Sequence, residues 1–464
     1  MNLNGIEYGE EENANREEHK FQPEYDAFSQ DVLRKVKQHF DTPTFVFSAD
    51  LFQNRMMNFN QLVSNAFNKH SIKYRAVYAG KAFLSKNIVP ALVKNGFGID
   101  TCSYTEIMTA IEGGAHGEHL GLHGNNKSEK EILFAFQKNF RHLVIDSMDE
   151  ISMLEDLVGA FAGGTSKLRV MIRITTGVHA GGHSFIATAH EDQKFGISMQ
   201  NNQAIEALTA VLKRSDIFEL VGIHTHIGSQ ITSPEGFLES AERMLQLRQN
   251  FADQTNHYLR EIDLGGGFGI QYCTSDEMLD LEELMESLSN LVAEKTTGKK
   301  PPLISFEPGR WLIGPCMGTL YTIGTIKDIE LEQGHTRRYI SVDGGMSDNI
   351  RPALYQAKYS ALVFGQTRQS TTRFNASSAE LLNCRIVGKH CESGDILVDE
   401  IFLPPNVKRG DLLFIPITGA YGYSMASNYN GLPKPGVVQV SANSNGLYEL
   451  KELIPRQHWQ EVVV

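Results

Sequence analysis

Apolar and polar positions change their rhythm along this chain. From Thr44 to about Phe306, short apolar runs alternate with segments whose apolar residues recur every three or four positions. The runs YRAVYA (74–79), GIDT (98–101), HLGL (119–122), HLVID (142–146), LRVMIRIT (168–175), LVGIHTH (220–226), EIDLG (261–265) and LISF (303–306) predict strands. The stretches 87–94, 106–112 and 205–213 between them carry helical spacing. Eight strands with intervening helices are the number that closes a (β/α)8 barrel, although an open doubly wound sheet shows the same alternation.

After Trp311 the texture changes. TLYTIGTIKDI, RYISVDG, SAELLNCRIVG and GDLLFIPITGAYG are rich in β-branched and aromatic residues, with Gly and Pro between them. That is the pattern of a mostly antiparallel β domain. FVFSADLF (45–52) leads from the start of the chain into the barrel. The expected organisation is an α/β barrel over 46–312, with a second, mostly antiparallel β domain built from 1–45 and 313–464.

Composition narrows the class. The 464 residues suit two large domains, and 41% hydrophobic with 21% charged residues is the balance of a globular chain with a sizeable core. A net charge of -12 argues against a nucleic-acid surface, which needs clustered Lys and Arg. Cys102, Cys273, Cys316, Cys384 and Cys391 include no CxxC pair, so neither a disulfide framework nor a metal site is expected. The first 25 or so residues are acidic and polar, unlike a signal peptide, and read as a solvated extension. With no apolar stretch of membrane-spanning length, the expected compartment is the cytoplasm.

The loops after barrel strands are where chemistry collects. YAGKAF sets Lys81 just past the first strand, where partial desolvation would favour the neutral, nucleophilic amine. Taken alone, it also reads as a surface lysine. HTHIGSQ sets His224 and His226 two apart, on one face of the sixth strand; no third ligand has matching spacing, and a core histidine is the commoner explanation. DLGGGFG follows the seventh strand, and three successive glycines expose backbone N–H groups able to wrap a phosphate. SFEPGR places Glu307 and Arg310 after the eighth; that pair alone reads equally well as a structural ion pair. A lysine, a phosphate cradle and an acid converging on one mouth describe a phosphorylated aldehyde cofactor held at both ends.

At these residues the chain resembles the pyridoxal-phosphate-dependent basic amino-acid decarboxylases of the alanine racemase-like fold, most closely the diaminopimelate decarboxylase family. The motifs are YAGKAF, LHGNNKS, FIATAHEDQKFGI, HTHIGSQ, DLGGGFG, EPGR, VDGGMSDNIRPALY, CESGD and GAYGYSMASNYN, in the family's order over roughly residues 78 to 430. GIDTCSYTE departs from the family, whose members more often show a valine and a Ser-Gly-Gly run there. The resemblance implies that Lys81 forms the Schiff base with pyridoxal 5'-phosphate and that His226 stacks on the ring. Ser229, Gly265, Gly266, Gly267 and Tyr421 would hold the phosphate. Glu307, within the cofactor-binding run Glu307, Pro308, Gly309 and Arg310, would pair with the ring nitrogen.

The same resemblance gives Arg310, Arg351, Tyr355 and Tyr421 to the substrate, Glu392 to its distal ammonium, and to Cys391 the delivery of a proton after decarboxylation. Arg351 and Tyr355 stand four apart and could simply share a helical face. A cysteine such as Cys391 is more often a small buried residue than an acid. In the family the CESGD segment reaches into a neighbouring subunit's site, which implies a homodimer. The implied reaction is loss of CO2 from meso-2,6-diaminopimelate to give L-lysine. A related decarboxylase acting on ornithine, arginine or a carrier-bound glutamyl group, a racemase, and a catalytically inactive relative are the rival readings.

Overall fold

The computed structural model describes residues 27–159, 167–178, 194–273, 275–332, 336–366 and 381–463. The acidic N-terminal extension and residues 185–193 of FIATAHEDQKFGI lie outside them. The chain divides into two compact units, one of Arg55–Ile270 and Met278–Leu312, the other of Met1–Asn54, Gln271–Glu277 and Ile313–Val464.

The first unit is a closed barrel. Its strands are Tyr74–Ala79, Gly98–Thr101, Leu120–Leu122, His142–Ile145, Leu168–Thr175, Phe218–His224, Glu261–Asp263 and Leu303–Phe306. Each pairs in parallel with the next, and Ile304 opposite Tyr74 joins the eighth to the first. Ring closure rules out the open doubly wound sheet. Some of the barrel helices start where short polar side chains replace missing backbone partners. Ser103 Oγ accepts from the Glu106 N–H, and Ser128 and Glu131 form a reciprocal capping box.

Three strands stop sooner than their apolar runs, the fourth by a single residue at Ile145. The sixth ends at His224, so His226 belongs to the loop beyond and does not share a strand face with it. The seventh ends at Asp263, because Gly265 takes φ +67° and leaves the extended path. Inside the barrel, polar positions alternate into a region that most barrels fill with branched apolar residues. Buried Glu261 is satisfied by Arg75 Nη1 at 2.9 Å and Ser305 Oγ at 2.5 Å, with Arg141 Nη1 at 3.5 Å. A buried acid persists only with such partners.

In the second unit, Thr44–Ser48 is central. It pairs antiparallel with Met317–Glu330 and parallel with Gly436–Ala442, and all five of its residues are buried. The sheet continues outward through Thr336–Val342, Leu382–Val387 and Ile396–Leu403 on one side and Tyr448–Ile454 on the other. Leu412–Ile415 also pairs with Met317–Glu330. Most pairings are antiparallel, the exceptions being Thr44–Ser48 with Gly436–Ala442 and Thr336–Val342 with Leu382–Val387. Among the described residues no helix is long and apolar enough to cross a membrane.

Candidate active site

Lys81 lies in the single 3-10 turn Gly80–Ala82 at the exit of the first barrel strand. Tyr78 Oη donates to the Phe83 carbonyl at 2.6 Å and pins that turn. The Lys81 side chain is exposed, not partly desolvated as its apolar neighbours predict, because the strand end opens at the barrel mouth. Its positive charge is felt by Glu307 and His226.

The glycine run and the Glu307 loop are interlocked beside it. The Glu307 N–H donates to the Gly265 carbonyl at 2.8 Å, and a Cβ on Gly266 would run into the Glu307 carbonyl. The Ala79 N–H reaches the Pro308 carbonyl at 3.4 Å, and a Cβ on Gly309 would meet Ala79 and Ala82. Lys81, Gly265, Gly266, Gly267 and Glu307 are therefore brought together. Gly267, at φ +102°, approaches the Gly228 carbonyl so closely that a side chain would collide with it. Two of the three expected N–H groups already have partners: Gly265 donates to Asp263 Oδ1 at 2.8 Å and Gly266 to His226 Nδ1 at 3.3 Å. Arg310 begins a four-residue helix rather than lying in the loop, and its Nη2 donates to Ser229 Oγ at 2.8 Å.

Electrostatics around Glu307 are dense. Its Oε1 stands 3.1 Å from His224 Nε2 and 3.5 Å from His123 Nε2, while His123 Nε2 is also 3.1 Å from Asp100 Oδ1. Burial, reinforced by Asp100, pushes the Glu307 carboxyl up to about 8. Burial also acts to raise Asp100, but His123 and Arg141 outweigh it and hold that carboxyl below the usual range. Desolvation, with Arg173 nearby, drops His224 to about 3. Desolvation and the Lys81 charge keep His226 well below the ordinary imidazole value. Burial, with Glu307 next in importance, raises Asp263 well above its ordinary value.

Sequence reasoning singled out neither His123 nor Asp100 as a site residue. Both sit at strand exits inside segments already noted, LHGNNKS and GIDTCSYTE, which was the available signal. The fold also supplies what spacing could not, third donors for His224. His123, His224 and Glu307 offer ligand atoms within 4.8 Å of one another, as do Asp100, His123 and His142, so either set could hold a metal ion.

In the β unit, Arg351 opens the short helix Arg351–Tyr355 and is buried, while Tyr355 is half-buried. Arg351 Nη1 donates to Tyr359 Oη, and its guanidinium lies 5.0 Å from the ring centre of Tyr272. No residue pattern pointed to Tyr272 or Tyr359. Desolvation opposes the charge on Arg351, but the tyrosines outweigh it and raise the guanidinium further. Cys391 and Glu392 are exposed on a turn, Cys391 contrary to the small buried residue its type suggests. Asp395 anchors that turn by accepting from the His390 N–H at 2.8 Å and the Met346 N–H at 2.6 Å. Tyr421 takes φ +66°, a conformation rare outside glycine.

A family model described as a pyridoxal-dependent decarboxylase, pyridoxal binding domain, matches residues 57–314. The diaminopimelate decarboxylase of Corynebacterium efficiens is 40% identical over 425 residues, covering 91% of this chain and 88% of that one. That of Bacillus subtilis is 39% identical over 430 residues, covering 92% of each. The chain belongs to the diaminopimelate decarboxylase family. The solved structure of the family's Helicobacter pylori member, complexed with L-lysine, superposes with a TM-score of 0.78 at 26% identity, covering 92% of this chain and 97% of that one.

The residues present fit the cofactor that the matched domain binds. The glycine run packs so closely on the Thr225, Gly228 and Glu307 carbonyls that no side chain fits there, and Ser229 and Arg310 add polar groups suited to an anion. Among the described residues Glu307 Oε1 makes no well-directed hydrogen bond despite being buried, so it is available to a ring N–H. An exposed amine at Lys81 completes a donor set suited to pyridoxal 5'-phosphate.

Proposed function

We propose that this chain is a carboxy-lyase that converts meso-2,6-diaminopimelate to L-lysine and CO2, using pyridoxal 5'-phosphate, in the cytoplasm. When bound, the cofactor supplies an aldehyde that bonds an amine and a ring that accepts the electron pair released as CO2 leaves. Lys81 provides the protein's amine. Gly265, Gly266, Gly267, Ser229 and Tyr421 hold the phosphate, and His226 lies against the ring. Glu307, with Pro308, Gly309 and Arg310 in its loop, keeps a proton at the ring nitrogen. Arg310, Arg351 and Tyr355 grip the substrate's distal carboxylate, a planar task suited to guanidinium, and Glu392 receives its distal ammonium. Cys391 Sγ delivers the proton that replaces CO2 on the substrate carbon.

The exposed Cys391–Glu392 turn is the reason to propose a homodimer, in which this turn serves a partner's site. The observation that carries the whole reading is the convergence of Lys81, the glycine run and buried Glu307 at one barrel mouth, in a chain about 40% identical to diaminopimelate decarboxylases across nine-tenths of its length.

The test is CO2 release by the purified protein with pyridoxal phosphate, offered separately meso-diaminopimelate, ornithine, arginine and lysine. Release from diaminopimelate alone is expected. Release from ornithine or arginine, with none from diaminopimelate, would refute the substrate and spare the cofactor.

A further inference from the structure

Arg351 is held differently from Arg34, Arg141 and Arg248, which are buried as it is. Arg141 stands against two carboxylates, Asp100 at 3.6 Å and Glu261 at 3.5 Å. Arg248 donates to the Leu259 and Lys300 carbonyls at 2.8 and 3.1 Å, and Arg34 to the Gly365 carbonyl and to Asp31. Among the described residues no carboxylate or backbone carbonyl accepts from the Arg351 guanidinium. Only its Nη1 has an acceptor, the Oη of Tyr359. The rest of its company is aromatic, with the ring centre of Tyr272 5.0 Å away and that of Tyr359 5.7 Å away.

Each ring of this cage is fixed in place. Tyr272 and Tyr359 meet edge to face, ring centres 5.3 Å apart with their planes at 80°, and both are buried. The Tyr272 and Cys273 N–H groups donate to Asp276 Oδ2 at 2.9 and 3.0 Å, which ties down the backbone that carries Tyr272. Gln356 turns left-handed at φ +54° and ends the helix Arg351–Tyr355, and the chain then returns so that Tyr359 meets Arg351.

A buried guanidinium needs a compensating partner, and a carboxylate is the common one. Aromatic faces and a phenol oxygen stabilise the cation without cancelling its charge. We propose that Tyr272 and Tyr359 are positioning residues that set the specificity for the substrate's distal carboxylate. They fix Arg351 and leave its positive charge whole for that group. A ligand with a carboxylate supplies the counter-charge, and a ligand without one leaves a buried cation unpaired. This rests on the reading, given under Proposed function, that Arg351 grips the distal carboxylate.

The test uses the holoenzyme and two competitive inhibitors, L-lysine and 1,5-diaminopentane, which is lysine without its carboxylate. The unsubstituted enzyme should bind L-lysine at least about tenfold more tightly, the scale of one charge-assisted hydrogen bond. Tyr359→Phe keeps the ring and removes the acceptor. Its affinity for L-lysine should fall about tenfold while that for 1,5-diaminopentane holds, and KM for diaminopimelate should rise with kcat little changed. Tyr272→Leu should show the same one-sided loss. Tyr359→Glu sets a counter-charge beside Arg351 and should abolish the preference for L-lysine. In Arg351→Met, adding Tyr359→Phe should cost nothing further. A loss shared by both inhibitors in Tyr359→Phe and Tyr272→Leu, or a Tyr359→Glu enzyme that still prefers L-lysine, overturns the inference and spares Arg351. Equal affinities in the unsubstituted enzyme, or a preference that survives Arg351→Met, remove the role of Arg351 and the inference with it. Binding of 1,5-diaminopentane with normal cofactor absorbance reports that each variant is folded, and the comparison in the unsubstituted enzyme needs no variant.

Discussion

In the barrel unit Glu307, Asp100, His123 and His224 are all buried and hold one another within ion-pair distance, whereas in the β unit Cys391 and Glu392 stand exposed and it is their supports, His390 and Asp395, that are buried. The difference is one of dielectric. Burial has already moved Glu307 to about 8 and His224 to about 3, so the barrel sets the protonation of its residues before any ligand arrives. The Cys391 turn has been given a fixed shape instead. Its backbone is bolted through Asp395 to Met346 and through His390 to Ser347 and Asn430, while the Cys391 and Glu392 side chains lie exposed. On the roles proposed above, cofactor electronics fall to the enclosed unit and proton delivery to the exposed turn.

The largest expected effect tests the enclosed side. Lys81→Ala should remove both the visible absorbance of the covalently held cofactor and CO2 release; normal absorbance with normal turnover would dispose of the Lys81 assignment. Cys391→Ala should split those readouts. Its absorbance and cofactor affinity should match the unsubstituted enzyme, while kcat should fall roughly 100-fold, as loss of a positioned proton donor does. A loss of cofactor affinity would erase the distinction between the two regions.

The smallest effect concerns the buried support of the β unit. Asp348 accepts from the Gly345 N–H at 2.9 Å, and burial raises its carboxyl from 3.8 to about 7. The folded state therefore binds this proton more tightly than the unfolded state. The contribution is fully present below about pH 4 and is lost as pH rises toward about 7. Asp348→Asn should flatten the decline of the urea midpoint across that window, and an unchanged slope would contradict the assignment.

The chain's pattern was enough to determine eight strands, the barrel alternation, the change of texture after Trp311, and the placing of Lys81, the glycine run and Glu307 just past strand ends. Such features are local. An apolar run encodes a strand, and residues at its exit reach the mouth of any barrel it joins. Where strands stop was less legible: His226 lies outside its strand because the chain leaves the ladder at His224, and the Lys81 side chain meets solvent that its apolar neighbours do not exclude. Only the tertiary structure decided which polar groups meet. Asp100, His123 and Glu307 come from the second, third and eighth strand exits, and ring closure with its particular register converges them. Tyr272 and Tyr359 flank Arg351 because the segment Gln271–Glu277 folds with the β unit although it lies within the barrel's stretch of sequence. Periodicity specifies that a face is buried; the partner it is buried against is set by long-range packing, which no local spacing records.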